Sequence, residues 1–378
     1  MLKFQKNLNM KQFVIAFLMI SFLACAQKDE DITSSPIEFS YEVVADGIPI
    51  PWGFDFLPNG DIIVTEKEGK IYIVKDKEKT EITGFPEVYV RGQGGLMDIR
   101  LHPDYPKQPW IYAAYAKESE TEKGGNTRIV RFTIKENTVS DLELIYQGEQ
   151  PSKRGQHFGG RLEFDREGYL YFSIGDRGNR DENPQDITRD NGKIYRLHAD
   201  GSIPKDNPFI DKVNAKKAIY SYGHRNPQGM ELHPESGKIW VHEHGPRGGD
   251  EINIIDKAVN YGWPVISYGI NYSGTKFTEI TKKEGMAQPF HYWVPSIAPS
   301  GMTFVRSKKY PHLDGNLLVG SLKFLYIEHL IIEDDKVAKR EKVLEGVGRV
   351  RSIEEGPDGF IYAGVEGIGL IKLIGPEG

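Results

Sequence analysis

An all-β chain folded as a six-bladed β-propeller is predicted from three observations. The chain carries 19 Tyr, 18 Phe and 41 Gly, residues suited to pleated surfaces and tight turns. One unit recurs along it, an alternating apolar segment, a turn rich in Pro, Gly, Asp or Asn, and a strongly β-prone run. No long helical periodicity competes with that pattern.

The units read FDFLPNGDIIVT (54–65), MDIRLHPDYPKQPWIYAAY (97–115), LEFDREGYLYFSIGD (162–176), MELHPESGKIWVHEH (230–244), MTFVRSKKYPHLDGNLLVGSL (302–322) and IEEGPDGFIYAG (353–364). Their starts lie roughly 45 to 70 residues apart, the period of propeller blades. Runs such as GKIYIV (69–74) and GKIYRL (192–197) supply further strands of each sheet. A two-sheet sandwich with insertions leaves this repeat unexplained.

Ahead of the units, Lys3, Lys6 and Lys11 precede the apolar run FVIAFLMISFLA (13–24). That run is too short to span a bilayer and has the layout of a signal peptide. FLAC (22–25) resembles a bacterial lipobox around the single cysteine, Cys25, so a lipid anchor on an exported periplasmic or cell-surface protein is expected. Cleavage at Ala24-Cys25-Ala26 with release of a soluble protein is the alternative. The expected organisation is a signal segment over 1–25, a polar linker over 26–40 and the propeller over 41–378. The folded body then has no disulfide and no cysteine nucleophile. A formal net charge of -6 gives no basic footprint for nucleic acid.

Function in a propeller concentrates where loops from several blades meet at one end of the channel. GQHFGGRLEF (155–164) places His157 in a glycine-rich loop, with room expected beside the ring for a flat ligand. RGQGGLMD (91–98) presents Gln93, YGHRNPQGM (222–230) presents Arg225 and Asn226, and HEHGPRGGDEIN (242–253) combines Gly245-Pro246 with Asp250 and Glu251. Lys323, Arg349 and Arg351 come from later loops, and IGDRG (174–178) carries Asp176. Each stretch alone has an ordinary structural reading. His242 and His244 alternate as zinc ligands can, but no third ligand is signalled, which favours packing.

Together the loops point to a particular ligand. Arg225, Lys323, Arg349 and Arg351 would repel one another at one channel mouth unless an anion sat among them. Guanidinium forks suit carboxylates or phosphates. An imidazole and free carbonyls suit general-base work and a hard cation. An anionic cofactor plus calcium satisfies all of them.

At these residues the chain resembles the soluble glucose/sorbosone dehydrogenase family, six-bladed quinoproteins that use pyrroloquinoline quinone (PQQ), and its aldose sugar dehydrogenase branch most. GHRNPQG, HGPRGGDEIN, NYGWP (260–264) and SGM (300–302) match in order, and the resemblance runs from about Pro51 to the C-terminus. It implies that His157 is the base taking the proton of the sugar's anomeric hydroxyl while the C1 hydride passes to PQQ. It implies that Gln93, Arg225, Asn226, Lys323, Arg349 and Arg351 surround the cofactor, that Arg225 also stabilises charge on the quinone oxygen, and that Asp176 orients His157. The carbonyls of Gly245 and Pro246 match ligands of a catalytic calcium, and Glu251 with the carbonyl of Tyr261 matches a structural calcium site. Gln156 stands where glucose-type members carry aspartate, which removes a charge beside the base, so their sugar preference does not carry over; their long cleft-building insertions are absent, which implies a more open cleft and broader aldose use. Tyr292 and Trp293 are candidates for stacking on a sugar ring or for core packing. Without a haem motif such as C-x-x-C-H, electrons must leave to an external acceptor. A calcium-dependent sugar lactonase and a non-catalytic glycan-binding propeller are the rival readings. The first gives no reason for the basic set to converge, and the second none for keeping His157 with it.

Overall fold

Alternation of apolar and polar residues, broken by turns such as Pro58-Asn59-Gly60, drives this chain into strands. The computed structural model describes residues 32–376, and no helix occurs among them. The strands form six sheets, five of four strands and one of five. Each sheet is one blade of a propeller, and its first strand lies innermost. The innermost strands are Pro51–Phe56, Leu96–Leu101, Leu162–Phe164, Pro227–Leu232, Pro299–Phe304 and Val350–Glu355, in blades 1 to 6. Every repeated unit of the sequence falls on the first two strands of a blade.

The ring closes through its N-terminus. Ser40–Ala45 pairs antiparallel with Gly369–Ile374 and completes blade 6, tying the two ends of the described chain together. One expectation changes here. Thr33–Ser34, assigned to the linker, adds in parallel to the outer edge of blade 5, with Thr33 opposite Glu341. This pairing covers part of an otherwise open edge. Its polar sequence has no alternation by which to recognise a strand. The signal segment and Cys25 lie outside the described residues.

Between blades the core is aromatic and aliphatic. Phe172 stacks on Tyr195 with ring centroids 4.6 Å apart, in a cluster with Trp52, Tyr112, Phe158 and Phe164. Burying each such ring is worth about 1.5–3 kcal/mol.

The channel is held differently, by charge. Arg161, 2% exposed, donates from Nη1 to Asp98 Oδ1 at 3.1 Å, from Nε to the Gln228 carbonyl at 2.7 Å and from Nη2 to the Arg351 carbonyl at 2.8 Å. Its guanidinium lies 4.3 Å from the ring centre of Trp52. Asp98 Oδ2 accepts the Leu162 amide at 2.9 Å, and Ser300 Oγ donates to the same Arg351 carbonyl. These contacts reach all six blades. Gly53 permits the approach, since a Cβ there would stand 2.3 Å from Asp98 Oδ1. One layer along, Arg100 bonds Glu354 at 2.6 Å and the carbonyls of Phe54 and Leu162 at 3.3 Å each.

Removing one partner of a buried pair leaves the other charge uncompensated. Asp98→Ala is therefore expected to cost roughly 3–5 kcal/mol of stability, read as a lowered midpoint of urea unfolding. A midpoint equal to that of the unaltered protein would show that Arg161 does not depend on Asp98.

Candidate active site

In an antiparallel sheet the start of the first strand and the end of the second lie at the same end. Gln93, His157, Arg225, Asn226 and Arg349 immediately precede innermost strands or stand a few residues before them. Asp176, Gly245, Pro246 and Lys323 follow second strands within a few residues, and Arg351 opens an innermost strand. Topology alone thus gathers the predicted residues on one face.

His157 is 7% exposed and holds φ at 57°, a strained value for a residue with a side chain. Its neighbour Phe158 is fully buried, and Thr127 Oγ1 donates to the Phe158 carbonyl at 2.6 Å. The buried ring anchors the loop while the imidazole faces the cleft. The Gln93 side-chain oxygen accepts the His157 amide at 2.7 Å. Asn226 Oδ1 accepts the Gly159 amide at 3.2 Å, so Gln93 and Asn226 both brace this loop. Against the expectation from sequence, the glycines do not open room for a ligand. They allow backbone to pack on backbone: a Cβ on Gly175 would stand 2.3 Å from the His157 carbonyl, and one on Gly92 would stand 2.1 Å from the Gly155 carbonyl.

The ring's protonation follows from its partner. Asp176 Oδ1 lies 2.6 Å from His157 Nδ1, and a carboxylate can only accept there, so Nδ1 carries the proton. Nε2 keeps its lone pair for the pocket that His157 lines. Asp176 is itself fixed. Oδ1 also takes the Gly178 amide at 2.7 Å, and Oδ2 takes the Trp263 indole at 2.8 Å. Burial works to raise the Asp176 pKa, but His157, Arg225 and the Gly178 amide together hold it below the usual carboxylate range. Burial, aided by the positive charge of Arg225, pushes the His157 pKa below its ordinary 6.5, against the pull of Asp176. The imidazole is neutral at physiological pH.

Arg225 crosses the centre of the site. It donates from Nη1 to the carbonyls of His244 and Gly245, at 2.9 and 2.7 Å. Its amide donates to Glu243 Oε2 at 2.5 Å, and its buried Nε has no hydrogen-bond partner. Asp250 shapes the loop opposite, accepting from the Gly245 amide at 2.8 Å, Ser296 Oγ at 2.7 Å and the Ala298 amide at 2.9 Å.

Two compartments meet at Pro246 and Tyr272. The smaller, about 390 Å³, is lined by His157, Asp176, Arg225 and Trp263 among others. The larger, about 1140 Å³, is lined by Gln93, His244, Lys323, Arg349 and Arg351 among others, and no carboxylate appears in its lining. Of the basic set, Lys323, Arg349 and Arg351 line the larger compartment and Arg225 the smaller, and one further correction applies. The set does not wait unpaired for an anion, because Glu366 bonds Arg349 Nε at 2.6 Å and also Arg351 Nη2. Even so, Arg351 Nε is buried with no partner, and Lys323 is exposed at the rim.

Glu251 forms an acidic pair with the buried Glu243, and Tyr261 lies beside that pair. Asn253 Nδ2 bridges Glu243 and Glu251 at 3.2 and 3.3 Å, and Asn253 Oδ1 is buried without a partner. Burial and the neighbouring Glu243 raise the Glu251 pKa. Tyr261 stacks on His224 with ring centroids 4.7 Å apart, and His224 bonds Glu243 at 2.8 Å. Other expectations resolve plainly. His244 Nε2 bonds the Pro299 carbonyl at 2.7 Å, and His242 is fully buried, so both pack. Trp293 is 1% exposed and donates to Glu328 at 2.9 Å, which makes it core and removes it from sugar stacking. Tyr292 stacks on Tyr268, their ring centres 3.8 Å apart. Sequence reasoning missed Trp263 and Glu366 as site residues. The NYGWP motif contained the first, while the second sits in a glycine-flanked turn with nothing to mark it.

Comparison with known proteins shows the family to which the chain belongs. The glucose/sorbosone dehydrogenase family model matches residues 48–371. Aldose sugar dehydrogenase YliI of Escherichia coli is 38% identical over 87% of this chain and 90% of its own. The solved apo-form of the soluble aldose sugar dehydrogenase of Escherichia coli superposes with a TM-score of 0.86 at 36% identity, over 89% of this chain and 99% of that one. The PQQ-bound aldose sugar dehydrogenase of Streptomyces coelicolor superposes with a TM-score of 0.71 at 27% identity, over 90% of this chain and all of that one.

The opposed influences on His157 make a directional prediction. Removing the Asp176 charge with Asp176→Asn should move the imidazole titration to lower pH, and Arg225→Gln should move it to higher pH. Both are read from the His157 ring resonances by NMR. Equal shifts in the same direction would contradict the proposed electrostatics.

Proposed function

From the chain's belonging to the glucose/sorbosone dehydrogenase family, we propose that it is a PQQ- and calcium-dependent aldose sugar dehydrogenase. It oxidises the C1 position of an aldose to the lactone and hands the electrons to an external acceptor. The observation that carries this reading is a neutral imidazole with a free Nε2 opening on a small pocket, joined to a larger compartment lined by cations and no carboxylate.

The orphaned Nε groups of Arg225 and Arg351 fit a ligand bearing carboxylates, since buried guanidinium donors without acceptors are costly. Gln93, Asn226, Lys323, Arg349 and Arg351 would hold PQQ in the larger compartment, with His157 and Arg225 at its border with the smaller one. When bound, PQQ supplies a hydride acceptor and calcium a Lewis acid that polarises it. The carbonyls of Gly245 and Pro246 are hard oxygens suited to that calcium. A second cation at Glu251 and the Tyr261 carbonyl would relieve the buried Glu243–Glu251 repulsion and give Asn253 Oδ1 a partner.

The chain's own residues account for the proton. His157 Nε2 takes the proton of the anomeric hydroxyl and becomes an imidazolium, stabilised by Asp176 at Nδ1. Trp263 and Gly178 keep Asp176 oriented for that role. Arg225 places positive charge where negative charge develops on the acceptor oxygen. Glu366 holds Arg349 and Arg351 in place before any ligand arrives. Gln156 beside the base adds no charge there, which agrees with broad aldose use. The apolar segment before Cys25 supports export from the cytoplasm, as a periplasmic or surface lipoprotein.

The test is dye-linked aldose oxidation by purified protein lacking residues 1–25, before and after PQQ and calcium are added. Activity should require both and should fall about 10²–10⁴-fold in His157→Ala, the usual contribution of a general base. Lack of activity together with lack of PQQ binding by spectral titration would overturn the reading.

A further inference from the structure

A second cluster of metal-ligating side chains lies in blade 5, and none of its members lines either compartment of the active site. His312 sits in the loop between the first two strands of that blade, His329 on the strand Ile327–Glu333, and Glu341 on the strand Lys336–Val343. One ligand atom from each lies within 4.8 Å of the others. Glu341 Oε2 is the common point, 2.6 Å from His312 Nε2 and 3.4 Å from His329 Nδ1.

As a hydrogen-bond network alone this arrangement leaves His329 poorly satisfied. The side chain is fully buried, its Nδ1 contact is long, and its Nε2 has no partner. Turning the ring to present either nitrogen therefore sacrifices little. Lys339 bonds the other carboxylate oxygen, Oε1, at 2.7 Å and leaves Oε2 free to ligate.

We propose that His312, His329 and Glu341 form a site for a divalent transition cation of the zinc type. Two imidazoles and a carboxylate select such ions over calcium or magnesium, which prefer all-oxygen shells. Tetrahedral bonds of about 2.0–2.1 Å put ligand atoms about 3.3 Å apart, so separations that run from 2.6 Å to at most 4.8 Å would change by up to about 1.5 Å through side-chain rotation. His312 is partly exposed, with 29% of its side-chain surface accessible. Water can complete the shell from that side, as in three-ligand zinc sites.

The position suggests what the ion does. It ties the His312 loop to two adjacent strands, directly beneath the point where Thr33 pairs with Glu341 and Ser35 donates its amide to the Lys342 carbonyl at 2.9 Å. Binding only to the folded blade, it stabilises by mass action. The strand Thr33–Ser34 is then held to a metal-braced edge.

The test uses protein lacking residues 1–25, treated with chelator and dialysed, and titrated with Co²⁺ as a spectroscopic probe. One equivalent should produce visible d–d bands of tetrahedral intensity that Zn²⁺ displaces. Zn²⁺ should also raise Tm. His312→Ala and Glu341→Gln, each checked for a native circular-dichroism spectrum, should lose the bands. No tetrahedral signal in the unaltered protein, or a signal surviving in folded His312→Ala, would overturn the assignment. Neither readout depends on dehydrogenase activity, so the result stands apart from the proposed reaction.

Discussion

The pairing of Arg161 with Asp98 is the constraint on which the rest of this propeller depends. A ring of sheets packed by apolar side chains alone fixes how neighbouring blades touch. It does not fix where the innermost strands stand along the channel axis. Arg161 supplies that registration by reaching Asp98, Gln228 and Arg351 on three other blades. A planar guanidinium suits the task because its donors point in several fixed directions at once. Burial makes each contact demanding, since any unpaired donor there carries its full desolvation cost.

That registration passes to the reaction centre over very short stretches of chain. Arg161 is four residues from His157, Asp98 five from Gln93, and Gln228 two from Asn226. The loops have little freedom to drift once the strand starts are placed. Local devices take over from there: Phe158 sinks into the core as His157 turns outward, Trp263 clamps Asp176, and Asp250 gathers the Gly245 amide with the Ser296–Ala298 loop. In the proposed reaction, a base poised this way would meet little reorganisation at the moment of proton transfer, which is where preorganised polar sites gain their rate.

What the sequence disclosed and what it hid differ in kind. The blades were legible because alternation and turn chemistry are local, and every unit fell on the first two strands of a blade. His157, Arg225, Gly245 and the basic set were legible because they lie in loops with unusual composition beside those strands. Glu366 and Asp98 were not. Each acts through a partner distant in sequence, and an acidic residue next to glycine has no local mark that separates it from an ordinary turn. Trp293 illustrates the converse: a Tyr-Trp pair beside a cleft loop reads as a sugar platform until burial shows it facing Glu328. Thr33–Ser34 pairs through backbone alone, which no side-chain pattern announces.

Glu366 also changes the meaning of the basic cluster. Four cations drawn to one mouth appear from sequence to need an anionic ligand simply to coexist. With a carboxylate already shared between Arg349 and Arg351, their mutual repulsion is offset and those two side chains are held in place. What stays unsatisfied is narrower, the Nε groups of Arg225 and Arg351, both buried and without acceptors. The fold can bear that deficit because the axial network and the blade cores are fully formed elsewhere. A site that leaves specific donors unpaired at modest cost to stability, and holds their neighbours rigid, reserves its unspent hydrogen bonds for the ligand. The discrimination then rests on the geometry of a few donors, with net positive charge in a supporting role.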